Sequence, residues 1–140
     1  MVKTIRYGSK IKHLTVTKDA SMVVTGSMGG EIVMWRIADS TRIHTITDAH
    51  YRRVYGLHFT QNEQYILSAS SDGTVKMWRT QDAKCVAKLK GGEPYWFAVL
   101  NKDNSRYFTG SKEGTIKIWC NSQRHTTLSF FAHDYKIFIV

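Results

Sequence analysis

The sequence predicts an all-β fold made of repeated four-stranded antiparallel units, and three observations carry that prediction. A Ser, a Gly three residues later and a Trp five residues after that recur as Ser27, Gly30 and Trp35, as Ser70, Gly73 and Trp78, and as Ser111, Gly114 and Trp119. The Trp positions step by 43 and then by 41 residues, the roughly 40–45-residue period of β-propeller blades. Apolar and turn residues return at matched distances, so the copies align without a gap from 24 residues before the Trp to 11 after it.

Each copy divides into four short strands. The first carries Ile11, Leu14 and Val16, then Val54, Leu57 and Phe59, then Tyr95, Ala98 and Leu100, with turn residues following at Asp19, Asn62 and Asp103. The second is the apolar run Met22-Val23-Val24, Tyr65-Ile66-Leu67 and Tyr107-Phe108. The third, Ile32-Val33-Met34-Trp35, Val75-Lys76-Met77-Trp78 and Ile116-Lys117-Ile118-Trp119, is rich in β-branched and aromatic residues. The fourth carries Ile43 and Ile46, Val86 and Leu89, and Thr127 and Phe130. The repeats therefore span about 7–49, 50–90 and 91–132, and a fourth opens at Ala132-His133, with residues 133–140 its start and Ile137 at the place of Val54. Propellers close with about four to eight blades. The expectation is a single partial propeller whose open faces need self-association or a missing remainder to close the ring, or else an incomplete, truncated product without independent function.

Composition narrows the function classes. The chain has 140 residues, 42% of them apolar, and a formal charge of +9 from 20 basic residues spread along its length. That spread implies either a solvated basic surface or a field attractive to nucleic acid, acidic proteins or anionic lipid. Cys85 and Cys120 stand apart without a CxxC or a nearby His pair, so neither a zinc site nor a disulfide framework is indicated, and a reducing compartment is expected. His13, His44, His58 and His125 lack paired spacing, so no metal and no cofactor are expected. No apolar run reaches the ~18–20 residues of a membrane span, and Met1-Val2-Lys3-Thr4-Ile5-Arg6-Tyr7 lacks the apolar core of a signal peptide. The expected location is intracellular, the cytoplasm first and the nucleus as the alternative.

With these residues in view, the chain resembles a run of WD-repeat β-propeller blades over essentially its whole length. The second copy matches best, with Ala49-His50 at the Gly-His position and Ser70-Ser71-Asp72-Gly73-Thr74-Val75-Lys76-Met77-Trp78 at the blade signature. The resemblance implies a buried structural tetrad of His50, Ser68, Asp72 and Trp78. The Asp that often follows the Trp is replaced by Arg36, Arg79 and Cys120. In the first copy the tetrad Asp and His positions hold Gly29 and Tyr7; in the third they hold Glu113 and Gly91. The full tetrad is therefore expected only in the second blade, with softer outer blades; His133 is expected to repeat the role of His50.

Ser68, His50 and Asp72 are also the residue types of a catalytic triad. No nucleophile elbow accompanies them, so no catalytic residue is assigned. The glycines of Thr25-Gly26-Ser27-Met28-Gly29-Gly30 and of Gly91-Gly92 read as tight turns, because no Gly-Lys-Ser/Thr follows them. The loops between the fourth strand and the next first strand hold Tyr51, Arg52, Arg53 and Tyr55, then Glu93, Tyr95 and Trp96, then Asp134, Tyr135 and Lys136. Aromatic residues and Arg are enriched at interface hot spots. Tyr95 and Trp96 can also be read as an inner-strand residue and a packing residue. Candidate partner-binding residues are Tyr51, Arg52, Arg53, Tyr55, Trp96, Tyr135 and Lys136. The expected function is a non-enzymatic scaffold for protein–protein interactions in a larger complex; the alternative is a basic propeller associated with RNA or ribonucleoprotein, in ribosome or mRNA handling.

Overall fold

The computed structural model describes residues 2–121 and 130–138, and all regular structure among them is β. The first sheet contains β1 (Ile11–Val16), β2 (Met22–Ser27), β3 (Ile32–Arg36) and β4 (Thr41–Ile46). The second contains β5 (Val54–Phe59), β6 (Tyr65–Ser70), β7 (Thr74–Arg79) and β8 (Cys85–Lys90). The third contains β9 (Tyr95–Leu100), β10 (Arg106–Ser111), β11 (Thr115–Asn121) and β12 (Phe130–Phe138). In each, the strands lie side by side in chain order and pair antiparallel.

The first hairpin of each sheet is set by its turn chemistry. Asp19 Oδ1 accepts from Ser21 N, Asn62 Oδ1 from Gln64 N and Asp103 Oδ1 from Ser105 N, at 3.0, 3.1 and 2.9 Å. This side-chain mimic of a turn is why Asx residues recur there. The next residue is left-handed each time, with φ of 56° at Ala20, 58° at Glu63 and 57° at Asn104.

The core lies between sheets. Val24, Ile32 and Met34 of the first sheet belong to one buried cluster with Val54, Leu57 and Phe59 of β5. Leu67, Val75 and Met77 of the second sheet share another with Tyr95, Ala98 and Tyr107 of the third. The same repeat positions thus face each other at both joints. On β1, Ile11, Leu14 and Val16 occupy the positions of Val54, Leu57 and Phe59, yet they are 45%, 52% and 44% exposed. Among the described residues no sheet precedes β1 to cover them.

One feature of each first strand departs from a regular ladder. Pairing with the second strand slips by one residue between Ile11 and His13, between Val54 and Gly56, and between Tyr95 and Phe97. The extra residue is Lys12, Tyr55 or Trp96. A bulge of this kind leaves one residue outside the ladder and turns its side chain away from the regular alternation.

At the end of the third sheet, residues 133–138, expected to start a fourth repeat, are part of β12, which runs beside β11 from Asn121↔Phe130 to Thr115↔Phe138. His133 therefore lies within a strand and not in a connecting loop. Without β12 the outer edge of β11 would present unpaired N–H and C=O groups. Thr127 and His125 lie outside the described residues.

Two substitutions test this backbone. Gly30 has φ of 91°, and a Cβ there meets the His50 carbonyl oxygen. Gly30→Ala is expected to cost well over the ~1–2 kcal/mol of left-handed strain alone, read as a large drop in urea midpoint. Ala20→Gly relieves the same strain at an exposed turn and should raise stability by about 0.5–1 kcal/mol.

Candidate functional site

The rim of the second sheet is organised by one buried network. Trp78 Nε1 donates to Ser68 Oγ at 2.8 Å, and Ser68 Oγ lies 2.7 Å from His50 Nε2. His50 Nδ1 is 3.0 Å from Asp72 Oδ2. A neutral imidazole with its proton on Nδ1 fits the short contacts: Nδ1 donates to Asp72, with Thr74 Oγ1 also 3.0 Å away, and Nε2 accepts from the Ser68 hydroxyl. Burial holds His50 below the usual histidine range, against the pull of the Asp72 carboxylate. Burial by itself raises the Asp72 carboxyl, yet the hydrogen bonds from His50 and Thr74 outweigh it and keep the group well below the usual carboxylate range.

The Ser–His–Asp order has triad-like distances but no access. Ser68 is 0% and His50 4% exposed, with Trp78 edge-on to the imidazole at 6.4 Å. A nucleophile must meet its substrate, and this serine oxygen is covered on every side. The network instead ties loop to turn. Asp72 also accepts from Tyr51 N at 3.1 Å and, through Oδ1, from Thr74 N at 2.9 Å. Ser71 N donates to Arg53 O at 3.1 Å and Ser70 Oγ to Arg52 O at 3.3 Å. The backbone from 50 to 53 is therefore fastened, while the side chains of Tyr51, Arg52 and Arg53 point to solvent.

Each outer sheet keeps only part of this arrangement. Trp35 Nε1 donates to Thr25 Oγ1 at 3.0 Å and Trp119 Nε1 to Thr109 Oγ1 at 2.9 Å. In the first sheet Tyr7 stands edge-on to Trp35 at 5.8 Å, and Arg42 lies 4.8 Å from the indole. Burial and then the Glu31 carboxylate push the Tyr7 phenol up to about 12. In the third sheet Gly91 leaves room that the Tyr95 hydroxyl occupies.

Five of the candidate partner-binding residues come together. Tyr51, Arg52, Arg53, Tyr55 and Trp96 line one open concavity of about 480 Å³. Tyr51 is 91% exposed; Trp96 is 36% exposed and tilts onto Tyr55 of the neighbouring sheet, centroids 5.6 Å apart. Tyr95 is fully buried in the joint between sheets. The backbone of Tyr135 and Lys136 lies in β12, and their side chains lie outside the described residues.

Sequence reasoning missed Lys12 and Lys112. Lys112 lines the same concavity, and Lys12 Nζ sits 5.6 Å from the Tyr55 ring centroid. A signal for both was present in the alignment of the copies. Lys12, Tyr55 and Trp96 each stand 23 residues before a third-strand Trp, and Met28, Ser71 and Lys112 each stand seven before one. The site is two repeat positions read across three sheets.

The sequence matches the WD domain, G-beta repeat (WD40) over residues 40–79 and 83–120, more than half of the chain. The chain belongs to the WD40 repeat family. A search of the curated proteins finds no match to it. Among solved structures, it resembles the β-propeller domain of Cps50 (Swd1) from Myceliophteria thermophila, at 19% identity and a TM-score of 0.78, over 86% of this chain and 38% of that one. It also resembles the RRP9 WD40 repeats, at 18% identity and 0.76, over 94% and 41% of the two chains. U3-55K is similar at 17% and 0.76, over 94% and 42%. The chain thus spans 38% to 42% of the length of these structures. At such identities the likeness concerns the fold alone. Among the described residues no WD40 element is a helix long and apolar enough to cross a membrane.

Two measurements probe the WD40 network. Ser68→Ala leaves His50 Nε2 and Trp78 Nε1 buried without their shared partner, so a loss of about 2–3 kcal/mol is expected in denaturant unfolding. The unfolded chain binds a proton on His50 at higher pH than the folded chain does. Stability contributed by His50 is therefore full above about pH 6.5 and falls as pH drops through that value. The Asp72 share is lost only further down, below the usual carboxylate range. A melting temperature that declines from pH 7 to pH 5, with a shallower decline in His50→Asn, is the expected result.

Proposed function

We propose that this WD40 segment is a non-enzymatic scaffold that docks a protein partner on its rim, within a larger complex. The observation that carries the reading is the concavity itself: Tyr51, Arg52, Arg53, Tyr55 and Trp96 converge there, held by backbone that the Asp72 network fixes in place. Aromatic and Arg side chains on a rigid frame lose little entropy when they bind. The inaccessible Ser68 supports a role without catalysis. The two cysteines, without a CxxC or paired spacing, support a reducing intracellular location, the cytoplasm first and the nucleus as the alternative.

A second reading is association with RNA, and the formal charge of +9 together with the basic, aromatic rim favours it. Salt separates the two. Several phosphate contacts lose roughly 10³–10⁵ in affinity between 50 and 200 mM salt, whereas a peptide seated on aromatic anchors changes far less.

Peptides selected against the chain by display should be enriched in acidic residues. Their affinity should fall about tenfold in Tyr51→Ala/Arg52→Ala and change by less than about tenfold over that salt range. Binding of a single-stranded RNA alone, with a steep salt slope, overturns the scaffold reading.

A further inference from the structure

The hydroxyl of Tyr55 is the centre of an unneutralised cationic cluster. Arg53 Nη1 donates to it at 3.3 Å, which leaves the hydroxyl's own proton for another acceptor, and both residues line the concavity. Lys12 Nζ lies over the same ring, 5.6 Å from its centroid, and Lys112 lines the concavity. These cations come from three different sheets: Lys12 from β1, Arg53 from the loop before β5, Lys112 from the turn between β10 and β11. Arg52 adds a fourth beside them, and among the described residues no carboxylate lines the concavity. The Arg53 hydrogen bond, with the charges of Lys12 and Lys112 added, lowers the Tyr55 phenol from its ordinary value and makes its O–H a better donor.

We propose that this concavity is a phosphoryl-binding subsite that takes a phosphorylated Ser or Thr side chain of a partner peptide, with Arg53, Lys12 and Lys112 around the dianion and the Tyr55 hydroxyl donating to it. The inference rests on the scaffold reading and names the chemistry of its partner. A phosphoryl group brings about −1.5 to −2 charge and three acceptor oxygens, which matches several converging donors better than the single charge of a carboxylate does. A peptide is favoured over single-stranded nucleic acid because the ring at the centre of the cluster is already engaged. Tyr55 has Lys12 over its ring and Trp96 against it. A nucleic-acid track needs open faces for successive bases, and of the aromatic side chains lining this concavity only Tyr51 is largely exposed.

The test uses the 140-residue chain and three fluorescent probes: short peptides degenerate around a central phosphothreonine, the same pool unphosphorylated, and an oligouridylate. Anisotropy should show the phosphorylated pool binding about tenfold more tightly than its twin. Arg53→Gln/Lys112→Gln should erase that difference, and Tyr55→Phe, which keeps the ring on Trp96, should reduce it about fivefold. Lys102→Gln, in the groove beneath the other end of the inner strands, should leave it unchanged. All four positions are at the surface, and an unaltered thermal melt checks that the variants are folded. Equal binding of the two peptide pools, lost together on Arg53→Gln/Lys112→Gln, overturns the phosphoryl inference and leaves the scaffold reading standing. Oligouridylate binding without peptide binding overturns both.

Discussion

The constraint behind this structure is that each sheet is apolar on two faces. Val54, Leu57 and Phe59 project from one side of β5 while Leu67, Val75 and Met77 cover the other side of the same sheet. Such a sheet is stable only when flanked on both sides, since each buried side chain contributes about 1.5–3 kcal/mol that exposure forfeits. The middle sheet has both neighbours and carries the largest share of fully buried side chains. Stacking, and not any property of a single blade, brings Lys12, Tyr55 and Trp96 side by side.

Within that frame the buried network of the second sheet has two effects at different distances. At short range it satisfies polar groups that the packing has removed from water. At longer range the Asp72 carboxylate reaches out of the core to the Tyr51 N–H, so the loop that presents Arg52 and Arg53 is anchored to the sheet interior. The first and third sheets keep a bond from the Trp indole to a second-strand hydroxyl, but Gly29 and the exposed Glu113 stand where Asp72 does, and other contacts lie at their connecting loops. In the first sheet Arg42 lies between Tyr7 and Trp35; in the third, Lys117 pairs with Glu93.

Much of the fold was legible because the repeat is strict. Once Trp35, Trp78 and Trp119 are aligned, the strands and their order follow from apolar spacing and from Asp19, Asn62 and Asp103. The end of the chain was not legible in the same way. Residues 133–138 hold a matching His and an apolar residue at the place of Val54, so the pattern reads them as the start of a new repeat, while in the structure they extend β12 beside β11. In the site, Tyr51, Arg52, Arg53, Tyr55 and Trp96 stood out by residue type, whereas Lys12 and Lys112 looked like ordinary surface lysines. Their proximity to Tyr55 depends on how far sheets rotate against one another, which no single-copy pattern contains. The bulges were equally hidden, because a bulge residue carries no compositional mark.

The bulge in each first strand also separates two kinds of sequence freedom. Its neighbours at Val54 and Leu57 are locked into the joint, where a change of one methylene is felt. The bulged residue itself lies outside the buried clusters, and the chain places an ammonium, a phenol and an indole at that one register. Duplicated blades can therefore diverge there without loss of the fold, so the recognition chemistry of the rim can be rewritten one blade at a time while the architecture that displays it stays the same.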